Sequence, residues 1–328
     1  MKTRCRSDWA LKLVVALLFG VCICVPASAQ HTFDKIRQSG EITLGYQDAA
    51  FPFSYYDDHQ QVVGYAMDVC QRVVDAIRNS LNLKTLAIKH NPALFANRAS
   101  LLSQGTIDLD CGPVPIAEEA GARVTFSLPY FVANVRFLSR KSANLRRVDD
   151  LKGKSVMSIS GSPTLNQLFA LNQRRKLGLS IIAAKTSQQA FQTLASGGTA
   201  ALFMDNVSLH TLIAGSGAAA EWAVSEETFA AEPYGLLLRR DDTRLKEIVD
   251  GTLRALHKSG ELGQIHKKWF LGPVRRNNGT TVNLALPMDD ALRRALSRPA
   301  DPGDVRKRAP GAPPANGARL LDRGIPLG

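Results

Sequence analysis

Six histidines (His31, His59, His90, His210, His257 and His266) are spread along the 328-residue chain with none of the spacings that hold a metal. The chain has no G-x-S-x-G elbow and no G-x-x-x-x-G-K-[ST] phosphate loop, and no paired carboxylates stand out where a cleft is expected. No cofactor-binding or nucleophile motif is therefore expected to carry the function. The stretch with the residue types for binding a ligand is Gln47 to Phe53, an aromatic loop leaving the strand Ile42, Leu44, Tyr46. A loop at the carboxyl end of a strand in an open α/β sheet is where such sheets bind ligands, so Gln47 and Phe51 are candidate site walls. Phe51, Phe53, Tyr55 and Tyr56 fit a second reading equally well, as core aromatics.

Positioning such a loop needs a sheet and its helices. Thr32–Ser39 reads as a short helix stopped by Gly40, and Ile42–Tyr46 as the first strand. After a polar hairpin, Gly64 leads into a helix over 66–79 with Val69, Val73, Ala76 and Ile77 on one face. A strand over 84–89, a helix over 93–104 and a strand ending at Cys111 follow. The order repeats after 151: strand 155–160, a turn at Gly161-Ser162-Pro163, helix 164–173, helix 187–196 and buried strand 200–204. The chain then runs through Glu232-Pro233-Tyr234-Gly235 into the apolar strand Leu236–Leu238, before helices near 241–258 and 261–270 separated by Gly260. Alternating strands and helices in two series imply an α/β fold of two mixed-sheet domains. The late return of the chain makes the first discontinuous, so that two strands form a hinge.

Composition limits the function further. Lys2, Arg4, Arg6 and Lys12 precede an apolar run over 13–25 and Ala27-Ser28-Ala29, the pattern of a cleaved secretory signal peptide over 1–29. No later segment approaches the roughly 20 apolar residues of a membrane span, so a soluble exported protein without membrane insertion is expected. Three of the five cysteines lie in that leader, which leaves Cys70 and Cys111, neither in a CxxC nor beside a histidine. In an oxidising compartment a disulfide is the expected outcome, contributing about 4 kcal/mol in the chain-entropy model. Residues 273–328 are Pro-, Gly- and Arg-rich towards their end. With them and the leader set aside, the body carries 27 Lys/Arg against 23 Asp/Glu without a basic aromatic face, which argues against nucleic acid as a partner.

The motifs DKIRQSGEITLGYQDAAFPFSYYDD, VVGYAMDVCQRVVDA, NRASLLSQGTIDLDCG, DDLKGKSV, FMDN, EPYGLLLRRDD and SGELGQIHKKWF run in order along the chain. With LALPMDDALRRAL they carry it from Phe33 to about Arg298. This chain resembles the periplasmic solute-binding proteins of polar amino-acid ABC importers (family 3 type), most of all their glutamate/aspartate-binding branch. The resemblance implies a two-lobed periplasmic binding protein fold of type II. Its expected parts are lobe 1 from 30–135 plus 236–272, lobe 2 from 136–235, a packed segment at 273–298 and a disordered basic tail at 299–328. It also implies a monomer in the periplasm that binds a small polar solute between its lobes and hands it to ABC permease subunits, without catalysis.

Residue by residue the match is partial. Arg98 stands where the branch uses an arginine on the ligand side-chain carboxylate, and Asp205 where the family pairs an aspartate with the ligand ammonium. Both have a structural reading too, Arg98 as a solvated helix residue and Asp205 as the cap of a helix starting at Asn206. Where relatives place a carboxylate-binding arginine after Cys-Gly, this chain has Ala120. The Ser/Thr run behind Gly112 is Pro113-Val114-Pro115, which removes hydroxyls and two backbone donors. Gln47, Phe95 and Ser187 replace an arginine, a serine and a histidine of the branch, and Gly161-Ser162-Pro163 replaces Gly-Thr-Thr. The expected ligand contacts are thus Gln47, Phe51, Arg98, Gly112, Pro113, Val114, Gly161, Ser162, Ser187 and Asp205. A carboxylate left without its arginine loses a bidentate charge-assisted bond, so ordinary glutamate or aspartate binding is not expected. A ligand sensor or accessory partner is the alternative, and a dehydratase-type enzyme on the same fold a more distant one.

Overall fold

Side chains alternate across a strand, so a sheet covered on both faces by helices must be apolar at successive residues. That pattern recurs here: Phe203 joins one cluster with Val135, Phe137 and Val156, while its neighbours Leu202 and Met204 join another with Leu138 and Met157. The computed structural model describes residues 31–94, 96–116, 123–290, 292 and 293. The leader, the tail, Phe95 and Ala120 lie outside the described residues.

The chain opens with α1 (His31–Ser39) and β1 (Glu41–Tyr46), then a small three-stranded sheet of β2 (Ala49–Ala50), β3 (Ser54–Tyr56) and β4 (Val62–Val63). Next come α2 (Tyr65–Ser80), β5 (Ala87–Pro92), α3 (Arg98–Ser103) and β6 (Leu109–Pro115). The long β7 (Val124–Arg140) leads to β8 (Ser155–Ile159), α4 (Pro163–Arg175), β9 (Ser180–Ala184), α5 (Ser187–Ala195), β10 (Ala201–Asp205) and α6 (Asn206–Gly215). After β11 (Trp222–Val224) the chain returns through β12 (Ala230–Arg239) to α7 (Thr243–Lys258) and α8 (Glu261–His266). A hairpin of β13 (Val274–Arg275) and β14 (Thr281–Val282) follows.

One sheet runs in the order β5-β1-β6-β12-β7-β10-β8-β9, with β11 also on β7. Its two halves share β7 and β12, which pair antiparallel from Val124↔Arg239 to Val135↔Ala230. The first half is parallel over β5, β1 and β6, and the second over β10, β8 and β9. This is the two-lobed α/β type II architecture expected from the sequence. Cys70 of α2 is bonded to Cys111 of β6, both fully buried, with Cα atoms 6.2 Å apart.

Four elements differ from the sequence reading. The strand expected at 84–89 forms at Ala87–Pro92, and the helix expected over 93–104 contracts to Arg98–Ser103. The strand expected to stop at Cys111 continues through both prolines to Pro115. Beyond Asp110 it pairs with β12, at Val114 and Pro115, and has left β1, so a missing donor on that side breaks no ladder. The strand expected at Leu236–Leu238 begins already at Ala230 and takes in Glu232-Pro233-Tyr234-Gly235: each of these pairs across to β7, and the register shift at Gly235 absorbs the irregularity.

The segment after α8 closes the back of the molecule. Leu284, Leu286 and Leu292 enter the first-half core beside Trp269 and Phe270. His210 of α6 donates from Nδ1 to the Leu284 carbonyl at 2.9 Å. Asp289 accepts from Asn134 of β7, lies 3.6 Å from Arg136, and caps the turn through Leu292 N at 2.9 Å.

Candidate functional site

Strand direction locates the site. β7 runs parallel to β1 and β6 in the first half, whereas β10 and β8 run against it in the second. The carboxyl ends of β1 and β6 therefore point at the carboxyl ends of β8 and β10. Pro115 is level with Tyr234 and so with Phe131, while Asp205 is level with Val135. Four residues of strand separate those levels, about 13 Å at the usual rise, which suits a ligand the size of an amino acid.

On the first-half wall, Gln47 follows β1 directly. Its backbone is fixed in both directions by the buried Ser54 hydroxyl, which accepts from Gln47 N at 3.0 Å and donates to Gln47 O at 2.9 Å. The Gln47 carboxamide lies over Gly112, where an added Cβ would stand 2.8 Å from Nε2. Gly112 N donates to Asp110 at 2.9 Å, and its carbonyl accepts from Tyr130 Oη at 3.2 Å, while Tyr65 Oη donates to the Tyr130 carbonyl at 3.0 Å. Asp110 Oδ2 lies 3.6 Å from Arg98 Nη1, with side chains 0% and 6% exposed. Burial raises the Asp110 carboxyl above its ordinary range, against the opposing pull of Arg98 and the Gly112 amide. Gln47, Gly112 and Arg98 are thus brought together around Asp110, a residue that reasoning from sequence did not single out. A buried acid in the strand DLDCG was the available signal, since such a group must find a cation or a donor.

Two residues expected on this wall are placed elsewhere. Val114 packs in an apolar cluster with Ile116, Phe126 and Leu237 and is core. Alternation along β6 sends its side chain to that face. Phe51 stands edge-on to Tyr55, 4.9 Å between ring centres, under the Arg276 guanidinium. Its described partners therefore belong to the hairpin and the C-terminal segment. Pro113 is half-buried between Gly112 and Val114.

The opposite wall is made of helix beginnings. Gly161, at φ 74°, turns the chain into Ser162, which caps α4 by accepting from Leu165 N at 3.2 Å. Asp205 caps α6, its Oδ1 accepting from Ser208 N at 2.8 Å and Oδ2 from Ser208 Oγ at 2.6 Å. The capping reading of Asp205 holds, and it leaves a carboxylate at the strand end. Burial raises that carboxyl above its ordinary range while the Ser208 bonds lower it. Ser187 is half-buried at the start of α5, whose cap is Thr186. Among the described residues there is no group of acids, histidines or cysteines that could hold a metal, and no helix long and apolar enough to cross a membrane.

Known proteins resemble this chain in sequence and in architecture. An L-glutamate/L-aspartate-binding protein of Pseudomonas aeruginosa is 35% identical over 271 residues, 82% of this chain and 89% of its own. A glutamate/aspartate import solute-binding protein of Escherichia coli is 34% identical over 295 residues, 88% of this chain and 95% of its own. Among solved structures, an ancestral arginine-binding protein bound to glutamine matches with a TM-score of 0.54 at 27% identity, covering 70% of this chain and 98% of that one. Residues 42–272 fit the family of bacterial extracellular solute-binding proteins, family 3, and the chain belongs to that family.

Proposed function

We propose that this protein is the amino-acid-binding component of an ABC importer, exported to the periplasm, where it delivers its ligand to permease subunits as a monomer. Residues 30–135 with 236–272 form one moving lobe and 136–235 the other, closing on the ligand about β7 and β12. The observation that carries this reading is the convergence of strand ends, with the Asp205 carboxylate on one side and Gln47 and Gly112 on the other. A carboxylate level with the gap supplies a counter-charge for an α-ammonium, and the α4 and α6 beginnings supply donors for a carboxylate. Relatives named for glutamate and aspartate support the amino-acid class. The pocket is diverged from theirs, with Gln47 and Pro113 at positions where that branch carries polar or cationic groups.

A thermal-shift panel of amino acids, amines and small organic acids tests the proposal. A ligand at one hundred times its Kd stabilises the folded chain by about 2.7 kcal/mol, roughly 5 to 10 °C in Tm. At least one amino acid should reach that shift. A flat panel would overturn transport binding and favour a partner or sensor role.

A further inference from the structure

The acid beneath the first-half wall bears on which amino acid fits. The Arg98 guanidinium lies 3.6 Å from the Asp110 carboxylate, whose other oxygen accepts from the Gly112 amide beneath Gln47. That carboxylate is held in place. Asp110 sits in a strand paired on both sides, at Gly45 and at Leu237. Gly112 is fixed in turn through Tyr130 and Tyr65, so the acid has little room to swing aside for an incoming anion. A second carboxylate brought to Arg98 would meet Asp110 as a like charge at low dielectric, where repulsion is strong. Gln47 adds only a neutral carboxamide.

Resting on the proposed function, we infer that Asp110 is a specificity-determining residue: by pairing with Arg98 it makes the cleft select amino acids with uncharged side chains over dicarboxylic ones. A carboxamide side chain suits this wall, because Gln47 can donate to it or accept from it.

Calorimetric titration of the mature chain with the twenty protein amino acids, and of Asp110→Asn with the same set, tests this. Asparagine keeps an oxygen for the Gly112 amide and removes the charge. For the wild type, glutamine and asparagine should bind at least tenfold more tightly than glutamate and aspartate. In D110N the acid-to-amide ratio should move at least tenfold towards the acids. A smaller shift in a variant that unfolds cooperatively overturns the inference and leaves the transport function standing. If D110N does not fold, the wild type decides: a preference for glutamate over glutamine overturns the inference, and a tenfold preference for glutamine supports it. Failure of every amino acid to bind the wild type overturns the proposed function, and this inference with it.

Discussion

The two walls of the cleft are built on different principles. The first is sealed from behind: a disulfide ties α2 to β6, a buried ion pair lies under Gly112, and tyrosine hydroxyls occupy its backbone. The second is assembled from caps, where Ser162 and Asp205 complete α4 and α6 with the same atoms they would offer a ligand. A sealed wall sets which charges the ligand must not carry. A wall of caps binds by lending groups the fold already orders.

The largest effect that sharpens this contrast comes from the covalent link. Replacing Cys70 and Cys111 by alanine opens a constraint spanning 41 residues and should cost about 4 kcal/mol, roughly 10 °C in a thermal melt. A melt unchanged within 2 °C would show that the first wall owes nothing to its staple.

Acid should weaken the first half next. His266 is stacked 4.6 Å from Phe270, faces Asp289 and Arg293, and burial pushes its pKa down to about 4. Between the ordinary histidine value near 6.5 and that one, the unfolded chain holds a proton the folded chain refuses. Stability therefore falls as pH drops through that window, by up to about 3 kcal/mol. His266→Phe should flatten the decline in urea midpoints measured from pH 7 to pH 4. An identical pH profile in wild type and H266F would place the acid sensitivity elsewhere.

On the second wall a cap is the lever. Ser162→Ala should destabilise the chain by about 1 kcal/mol, while Ser162→Asp, which keeps an acceptor for Leu165 N, should not. Equal melts for the two variants would remove the capping role from that wall.

How much of this was legible in the sequence follows the physics of each feature. Periodicity placed α2 within one residue at each end because its buried face repeats at helical spacing. The paired cysteines and the two-lobed architecture were equally readable. The start of β12 was not: Pro233 and Gly235 carry turn chemistry, and only pairing with the long β7 makes them strand. Gly112 and Ser162, proposed for the site, lie at strand and helix ends that order along the chain could locate. Val114 could not be placed, because β6 passes Cys111 without ending and its alternation turns that side chain into core. Asp110 and Ser54 escaped notice because their partners, Arg98 and the Gln47 backbone, are neighbours only after folding.

Asp205 is where the central claim is most exposed. Asparagine there keeps an oxygen for the Ser208 amide and removes the charge offered to a ligand ammonium. Calorimetry of wild type and Asp205→Asn with the amino acid that gives the largest thermal shift, alongside melts without ligand, tests it. The account predicts melts within 2 °C of each other and binding at least tenfold weaker in D205N. Equal affinity in the two proteins would contradict it.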